Sequence, residues 1–266
     1  MQEPDREMEL ADKVIVVTGA GHGIGKALCQ RFADEKPRGL VVADIDVEAA
    51  GELAEQISAQ AISCDVSREE EVARLVTETE QSLGPIDLFC SNAGVIVEGG
   101  LDLSDHEWRR MLDINFMSHI YAARAVLPGM VSRGGGYLLQ TASAAGLLSE
   151  FSSAPYAVTK HAVVALAEWL AITYGDQGIR VSCICPQGVK TRMLDTDHPA
   201  ARGLASAAVE PEEVAEKVIE GLREERFLIL PHPEVADFVQ RKASDHDRWL
   251  DGMRRLRRQV FGTEDG

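Results

Sequence analysis

Short, almost wholly apolar runs recur along the 266-residue chain and are separated by longer segments with helical periodicity. The runs are KVIVVT, GLVVAD, AISCDV, IDLFCSNAG, YLLQTA, IRVSCIC and FLIL. Runs without a polar face are typical of strands that are buried on both sides of a parallel sheet. Strands that alternate with helices in this way predict right-handed βαβ units. We therefore expect an α/β, doubly wound fold with a seven-stranded, mostly parallel sheet.

A glycine-rich turn directly follows the first apolar run. The segment GAGHGIGKALCQRFADE contains Gly19, Gly23 and Gly25, which let the backbone approach a pyrophosphate closely. A helix that begins near Gly23 would direct its free N–H groups at the same anion. The spacing Gly-x-x-x-Gly-x-Gly differs from the best-known dinucleotide fingerprint, and glycines in such loops also serve steric needs alone.

Two ionisable residues bear on which dinucleotide would bind. Asp44 ends the second apolar run about twenty residues past the glycines, where a carboxylate accepts hydrogen bonds from ribose hydroxyls and repels a 2′-phosphate. His22 in the glycine loop is the opposing signal, because a basic residue there could contact a phosphate. A histidine is mostly uncharged at neutral pH, so the sequence favours NAD over NADP.

The segment from Ser143 to Lys160, SAAGLLSEFSSAPYAVTK, joins a predicted strand end to a predicted helix. Tyr156 and Lys160 are four residues apart, so both side chains should project from one helix face. A close ammonium lowers the pKa of a phenol from its usual value of about 10, which makes Tyr156 a candidate proton donor and acceptor. Ser143 follows the run YLLQTA, at a strand end where catalytic groups gather. The alternative for the pair is a surface helix contact.

In this order, TGAGHGIG, SNAG, Asn115, Ser143, Tyr156 and Lys160 resemble the short-chain dehydrogenase/reductase superfamily in its single-domain form. The resemblance implies a Rossmann fold and a catalytic tetrad. Ser143 would hydrogen-bond the substrate oxygen, Tyr156 would exchange its proton, Lys160 would hold the cofactor ribose and Asn115 would position a relay water. From the residues alone, Asn115 is a polar residue on a helix face without a function.

The same resemblance implies a larger set of cofactor contacts. Asp65 and Val66 would flank the adenine, although Asp65 alone suits a helix cap or a turn equally well. Asn92 would stabilise the centre of the sheet, and Val189 and Thr191 would meet the nicotinamide carboxamide. The complete set is Gly19, His22, Gly23, Ile24, Gly25, Asp44, Asp65, Val66, Asn92, Ala93, Gly94, Tyr156, Lys160, Pro186, Gly188, Val189 and Thr191.

The substrate side is predicted from the wall at residues 144–154, which is mostly small and apolar and suits a bulky hydrophobic ketone or alcohol. The candidate substrate residues are Ala145, Glu150, Phe151 and Gln187. Glu150 could pair with an amine-bearing substrate, or it could simply be exposed. Gln187 stands where the family usually has glycine. Residues 192–209, with Asp195, Asp197 and His198, resemble the family's mobile substrate lid.

Composition and charge exclude several classes of function. The formal net charge of −16 argues against nucleic acid as a partner, because a phosphate backbone requires a basic face. Five cysteines without zinc or disulfide spacing predict buried free thiols in a reducing compartment, and no metal site. The N-terminus lacks an apolar signal core, and no apolar segment reaches the roughly 18 residues of a membrane span. We expect a cytoplasmic protein.

We divide the chain into a disordered tail at residues 1–9, a catalytic domain at 10–230 and a C-terminal helical extension at 231–266. In the extension, Trp249, Met253, Leu256 and Val260 recur at helical spacing opposite Arg254, Arg255, Arg257 and Arg258. Such a helix can bind a membrane or an anionic partner, but the short apolar stripe favours packing on its own or a neighbouring subunit. The family resemblance suggests a homotetramer or homodimer built on helices near residues 104–132 and 155–175.

These observations predict an NAD(H)-dependent oxidoreductase that interconverts a secondary alcohol and a ketone by hydride transfer, with Tyr156 as general acid and base. Two alternatives are an NADPH-dependent 3-ketoacyl-thioester reductase and a dinucleotide-binding protein without turnover. The intact set of Ser143, Tyr156 and Lys160 argues against the second alternative.

Overall fold

Seven strands form a single sheet in the computed structural model, which describes residues 8–194 and 207–262. The strands are β1 Val14–Thr18, β2 Gly39–Asp44, β3 Gln60–Ser63, β4 Leu88–Ser91, β5 Gly136–Thr141, β6 Ile179–Ile184 and β7 Leu228–Ile229. Their order is β3-β2-β1-β4-β5-β6-β7, and each neighbouring pair is parallel. The predicted doubly wound α/β fold is confirmed, with a sheet that is wholly rather than mostly parallel.

Helices cover both faces of the sheet. They are α1 Gly23–Asp34, α2 Val47–Ile57, α3 Glu69–Leu83, α4 Asp105–Leu112, α5 Ser118–Ser132, α6 Ala145–Leu148, α7 Ala154–Tyr174, α8 Pro211–Arg223, α9 Glu234–Ser244 and α10 His246–Phe261. Alternate residues of β1 point to opposite faces. Val14 and Val16 pack in the apolar cluster with α3, α5 and α7, whereas Ile15 and Val17 pack with α1, α2 and α8. Burial on both faces explains why β1 is apolar up to Thr18.

The strand order reverses between β1 and β4, whose carboxyl ends therefore frame a crevice. Ligands bind at such a switch point in open α/β sheets. Thr18 joins the two strand ends, because its hydroxyl donates to the Cys90 oxygen at 3.3 Å and accepts from the Asn92 N–H at 3.0 Å. The fold thus brings the glycine turn after β1 next to the SNAG segment after β4.

The chain beyond β7 forms two helices that lie against the α6 segment. Val235 of α9 and Trp249 of α10 pack in one apolar cluster with Ala144 and Leu148. None of the 16 residues of α10 is buried, and its five arginines, which include Arg254, Arg255, Arg257 and Arg258, are exposed. The apolar side of α10 contacts its own chain through Trp249, which favours the packing alternative for this helix.

Some sequence-based expectations fall on residues outside the described ranges. They include most of the predicted lid, with Asp195, Asp197 and His198, and residues 1–7 of the predicted tail. At the edge of that tail, Met8 packs against the cluster beneath β1. Within the described ranges, no helix is long and apolar enough to cross a membrane. The five cysteines are free and buried, as predicted.

Candidate active site

Tyr156 and Ser143 meet at the carboxyl end of the sheet. The Ser143 hydroxyl follows β5 and lies close enough to the Tyr156 phenol on α7 to lower the pKa of that phenol. The Ala145 N–H donates to the Ser143 oxygen at 3.1 Å. Helix α7 begins where Ser153 accepts a hydrogen bond from the Tyr156 N–H at 3.2 Å, with Pro155 in the first turn. The local sequence therefore fixes the turn from which Tyr156 projects.

Lys160 lies one turn further along α7 and is only 3% exposed. Its ammonium nitrogen donates to the Thr141 oxygen at 2.9 Å and lies 5.7 Å from the centroid of the Tyr156 ring. Burial lowers the pKa of Lys160 to about 8. Tyr156 and Lys160 thus share one helix face, as their spacing predicts.

The pKa of Tyr156 does not follow the sequence-based expectation. Burial raises it to about 12, the neighbouring Ser143 hydroxyl lowers it, and the charge of Glu150 raises it. The prediction that Lys160 lowers this pKa is wrong for the structure, because the loss of hydration of the phenolate outweighs the other contributions. Tyr156 is therefore protonated at neutral pH.

Asn115 is fully buried in a π-helical turn, Asp113–Met117, between α4 and α5. Its side-chain oxygen accepts from the Val95 N–H at 2.8 Å, and its amide donates to the Val95 oxygen at 2.8 Å and to Thr159 at 3.3 Å. Such turns are frequent at functional sites. Asn115 thus joins the loop after β4 to α7. It therefore has a structural function, which the residues alone did not predict. Its proposed relay water stays a prediction.

The glycine turn lies directly against the SNAG segment. At Gly19, with φ of +62°, a Cβ atom would lie 2.6 Å from the Ala93 Cα, and at Gly25 it would lie 2.1 Å from the Gly19 oxygen. The Asn92 amide donates to the Thr18 and Gly19 oxygens at 3.1 and 3.2 Å. Only glycine permits this approach. Ile24 follows in the first turn of α1, whose N-terminus has no side-chain cap.

Asp44 and Asp46 place two carboxylates beside the glycine turn. Asp44 accepts from the Gly21 N–H at 2.8 Å and from the Asp46 N–H at 2.9 Å. His22 Nε2 lies 2.9 Å from an Asp46 oxygen and 3.1 Å from Arg192 Nη1. The histidine that could contact a phosphate is therefore already paired with the Asp46 carboxylate. This pairing lowers the pKa of Asp46.

Comparison with known proteins gives the family. A family model described as short chain dehydrogenase matches residues 13–201. The chain belongs to the short-chain dehydrogenase/reductase superfamily. It is 35% identical over 237 residues to 1-deoxy-11-beta-hydroxypentalenate dehydrogenase of Streptomyces exfoliatus, covering 85% of this chain and 86% of that one. It is 35% identical over 218 residues to meso-2,3-butanediol dehydrogenase of Serratia marcescens, covering 78% and 86%.

A solved structure supports the same assignment. The crystal structure of a short chain dehydrogenase/reductase from Burkholderia phymatum in complex with NAD has a TM-score of 0.83 and 30% identity, and the match covers 90% of this chain and 96% of that one. The protein is therefore an oxidoreductase of the short-chain dehydrogenase/reductase superfamily.

The crevice of this short-chain dehydrogenase/reductase suits a dinucleotide. A Cβ atom at Gly94 would lie 3.5 Å from both Lys160 Nζ and Asn115 Oδ1, which places the SNAG segment directly beside these two side chains. The uncapped N-terminus of α1 offers N–H groups to a pyrophosphate. Asp44 lies beside the same turn, where a ribose would sit.

Asp65 and Val66 lie after β3, and Asp65 forms a turn. Its Oδ1 accepts from the Ser67 N–H at 3.0 Å and from the Ser67 hydroxyl at 2.7 Å. The N-cap residue of α3 is Arg68, so the helix-cap alternative for Asp65 is wrong. Val66 is buried in the apolar cluster on the α3 side. Their adenine contacts stay a prediction.

The segment after β6 lies between the glycine turn and Ser143. The Pro186 oxygen accepts from the Ala144 N–H at 2.8 Å. Further on, the Gly188 oxygen accepts from the Val209 N–H at 3.2 Å, and Val189 is itself buried. A Cβ atom at Gly23 would lie 2.9 Å from Thr191 Cγ2. The predicted nicotinamide segment thus does reach the glycine turn.

The substrate candidates differ in what they contact. The Glu150 carboxylate accepts from the Ser152 hydroxyl and from the Ser153 N–H, both at 2.6 Å, so it is engaged in the turn before α7. The Phe151 ring packs edge-on against Phe261 of α10, with centroids 5.8 Å apart. Ala145 lies beside the Ser143 hydroxyl. The Gln187 N–H donates to the His232 ring.

Sequence reasoning missed three residues that hold this site: Thr141, Thr159 and His232. Thr141 ends β5 and accepts the Lys160 hydrogen bond, and Thr159 is a buried partner of Asn115. Thr141 accepts through its main-chain oxygen, so its side chain gave no signal for this contact. For His232 the signal was a histidine between two prolines. No cluster of three or more His, Cys, Asp or Glu residues that could hold a metal ion occurs in the part of the chain that the structure describes.

Proposed function

We propose that this protein is an NAD(H)-dependent oxidoreductase that interconverts a secondary alcohol and a ketone by hydride transfer. The observation that carries the proposal is the approach of the Ser143 hydroxyl to the Tyr156 phenol, beside the buried ammonium of Lys160. Two hydroxyl groups that converge on one point can hold and protonate a single substrate oxygen.

Each member of the tetrad has a distinct role in this proposal. In ketone reduction, the Tyr156 phenol donates its proton to the substrate oxygen while the Ser143 hydroxyl holds that oxygen. In alcohol oxidation, Tyr156 must first lose its own proton, so its raised pKa makes this direction faster at alkaline pH. Lys160 holds the cofactor ribose, and Asn115 positions a water that relays the proton to solvent. When bound, the nicotinamide supplies or accepts the hydride.

The proposed cofactor contacts follow the crevice from the glycine turn to the tetrad. Gly19, Gly23, Ile24 and Gly25 hold the pyrophosphate, and Asp44 holds the adenosine ribose. The remaining contacts are with His22, Asp65, Val66, Asn92, Ala93, Gly94, Pro186, Gly188, Val189 and Thr191. Asp44 and Asp46 together disfavour the extra phosphate of NADP, because like charges that meet without a partner repel one another.

The proposed substrate is a small hydrophobic alcohol or ketone. The wall next to Ser143 is formed by Ala144, Ala145 and Leu148, which are buried. By name, the two relatives act on a hydroxypentalenate and on a butanediol, which are alcohols. Because the Glu150 carboxylate is engaged by its own turn, we propose that it shapes this wall rather than pairing with an amine.

The NADPH-dependent 3-ketoacyl-thioester reductase has one observation in its favour. Lys26, Lys190 and Arg192 line a cavity of about 710 Å³ beside the glycine turn. However, Lys190 is paired with Glu210 at 2.6 Å, and Arg192 contacts His22, which is itself paired with Asp46. These pairings leave less positive charge for a 2′-phosphate, so this function is the second candidate.

A panel of alcohols and ketones tests both candidates. Turnover is measured by NADH or NADPH absorbance with secondary aliphatic, cyclic and aryl alcohols, the matching ketones and an acetoacetyl thioester. We expect oxidation of a hydrophobic secondary alcohol with NAD. Preference for NADPH with the thioester would select the second candidate. NADH binding without turnover on any compound would select the silent dinucleotide-binding protein.

We also propose a cytoplasmic homotetramer or homodimer in which α7 and the helices near residues 104–132 form the contact. Val158, Trp169 and Ile172 of α7 are 51%, 54% and 82% exposed, and an assembly would bury them. Size-exclusion chromatography with light scattering measures the assembly, and a monomer at micromolar concentration contradicts it.

A further inference from the structure

His232 lies in the sequence Pro-His-Pro, between β7 and α9, and is only 3% exposed. Pro231 and Pro233 fix their own φ angles, and Pro233 also restricts the backbone of His232. The His232 oxygen accepts from the Val235 N–H at 3.1 Å, at the start of α9. The imidazole is therefore presented from a restrained backbone, and neither the tetrad nor the cofactor set includes it.

The hydrogen bond to Gln187 fixes the tautomer of this histidine. The Gln187 N–H donates to His232 Nδ1 at 3.1 Å, so Nδ1 must be the unprotonated nitrogen. A neutral imidazole then carries its proton on Nε2. Nε2 is buried and has no hydrogen-bond partner in the described part of the chain. The ring is thus held through Nδ1 and the backbone of Gln187.

The peptide group between Pro186 and Gln187 is held at both ends. Its N–H donates to His232, and its carbonyl oxygen accepts from the Ala144 N–H at 2.8 Å and lies 3.4 Å from the Ser143 hydroxyl. A peptide group is planar, so its N–H and C=O cannot turn independently. A rotation that broke the bond to His232 would also turn the oxygen away from Ser143 and Ala144.

We propose that His232 is a positioning residue that fixes the Pro186–Gln187 peptide group and, through it, the Ser143 hydroxyl. The inference rests on the proposed function, in which Ser143 holds the substrate oxygen. Hydrogen bonds then connect Ser143, the 186–187 peptide group and His232, and the Tyr156 phenol lies next to Ser143. Because the path ends on the first residues of the C-terminal helical segment, that segment helps to set the geometry of the substrate side.

Two substitutions at His232 distinguish the role of Nδ1, which accepts from the Gln187 N–H, from that of Nε2. His232→Asn places an amide oxygen close to the position of Nδ1 and keeps an acceptor for the Gln187 N–H. His232→Gln places its terminal amide close to the position of Nε2 and removes the acceptor at Nδ1. His246→Gln, at an exposed position at the start of α10, is the control for the change of side chain.

The measurements are hydrogen exchange of the Gln187 amide by mass spectrometry, kcat/KM for the best alcohol with NAD, and NADH affinity. Thermal unfolding of each variant identifies a general loss of structure. We expect faster Gln187 exchange and a fall in kcat/KM of about tenfold in His232→Gln, against less than about threefold in His232→Asn, the loss expected for one hydrogen bond. NADH affinity should change less than kcat/KM in both variants.

Equal losses of kcat/KM in the two variants, or unchanged Gln187 exchange in His232→Gln, would overturn the proposal. Faster exchange with unchanged kcat/KM would overturn it as well, because the contact would then exist without positioning Ser143. Failure of the proposed function gives a different result, since the wild-type protein would then turn over no alcohol. In that case the exchange data alone decide whether His232 holds the peptide group.

Discussion

Lys160 donates a hydrogen bond to the Thr141 oxygen at 2.9 Å, which anchors a cation of α7 on the end of β5. The Tyr156 phenol, one turn earlier on α7, lies close to the Ser143 hydroxyl instead. The helix and the strand thus share two contacts at the carboxyl end of the sheet. The first contact fixes the Lys160 ammonium, and the second involves the Tyr156 hydroxyl that carries the proton. This division separates the proposed work of cofactor binding from that of proton transfer.

The first prediction concerns Tyr156. Replacing it by phenylalanine removes the only proposed proton donor but keeps the ring, so we expect kcat to fall by about a thousandfold. NADH affinity should stay within about threefold, because the phenol contributes little to dinucleotide binding. Steady-state kinetics and NADH fluorescence titration measure the two effects. Tyr174→Phe, near the end of the same helix, is the matched control and should keep its activity. A Tyr156→Phe variant with near-normal turnover contradicts the proposed mechanism.

The second prediction concerns the buried charge of Lys160 and the pH dependence of stability. Burial lowers the pKa of Lys160 from 10.5 to about 8 in the folded protein. Between these values the unfolded chain binds more protons than the folded one, so the free energy of unfolding rises with pH. The rise attributable to Lys160 amounts to at most about 3 kcal/mol and is complete near pH 10.5.

Lys160→Met removes the pH dependence of stability that is due to Lys160. Comparison of the variant with the wild type therefore measures it. Relative to the wild type, the variant should be more stable below pH 8 and should lose that advantage as the pH rises to 10.5. Urea unfolding of both proteins at several pH values measures the difference. Lys217→Met, at an exposed position of α8, is the control and should show no such trend. If the difference in stability does not vary with pH, then folding does not lower the pKa of Lys160.

The third prediction concerns the choice of dinucleotide. Asp44→Asn keeps an acceptor for the Gly21 N–H and removes the negative charge. We expect the preference for NAD over NADP, measured as a ratio of kcat/KM values, to fall by at least about tenfold, because a like-charge contact of this kind is worth more than 1 kcal/mol. Asp34→Asn removes the same charge at the exposed end of α1 and should leave the ratio unchanged. A wild type that prefers NADPH would show that Asp44 does not set the choice.

The sequence was sufficient for the fold because most strands are apolar runs that can be recognised one by one. Val14 to Val17 are buried on alternating faces, and the apolar run that this produces is visible without coordinates. The glycine positions were equally readable, since a backbone-to-backbone approach such as Gly19 to Ala93 tolerates no other residue. Periodicity and steric exclusion therefore predicted most of the framework.

The electrostatics of the site could not be predicted in the same way. The spacing of Tyr156 and Lys160 gives their helix face, but it does not give the depth at which they are buried. That depth decides the pKa of Tyr156, because desolvation outweighs the other contributions. The role of His232 was also hidden, since its partner Gln187 lies 45 positions earlier in the chain. Contacts between loops that are distant in the sequence depend on the assembled fold, so local sequence patterns do not predict them.

The last prediction concerns the contact between the C-terminal helices and α6. The Lys242 ammonium donates to the Leu147 oxygen at 2.7 Å, and the Trp249 ring N–H donates to the Leu148 oxygen at 3.3 Å. Both acceptors are carbonyls at the end of a short helix, where no further turn can satisfy them. The two donors therefore hold the wall that begins at Ser143, and their loss should loosen it.

Lys242→Met keeps most of the aliphatic stem and removes the donor, and Trp249→Phe keeps an aromatic ring and removes the N–H. We expect the double variant to raise the KM for the alcohol by about tenfold while the affinity for NADH changes by less than about twofold, as two lost hydrogen bonds on the substrate side would produce. Arg255→Met, at an exposed position of α10, serves as the matched control. If the KM for NAD rose in parallel with that for the alcohol, the helices would be supporting the whole crevice rather than its substrate wall.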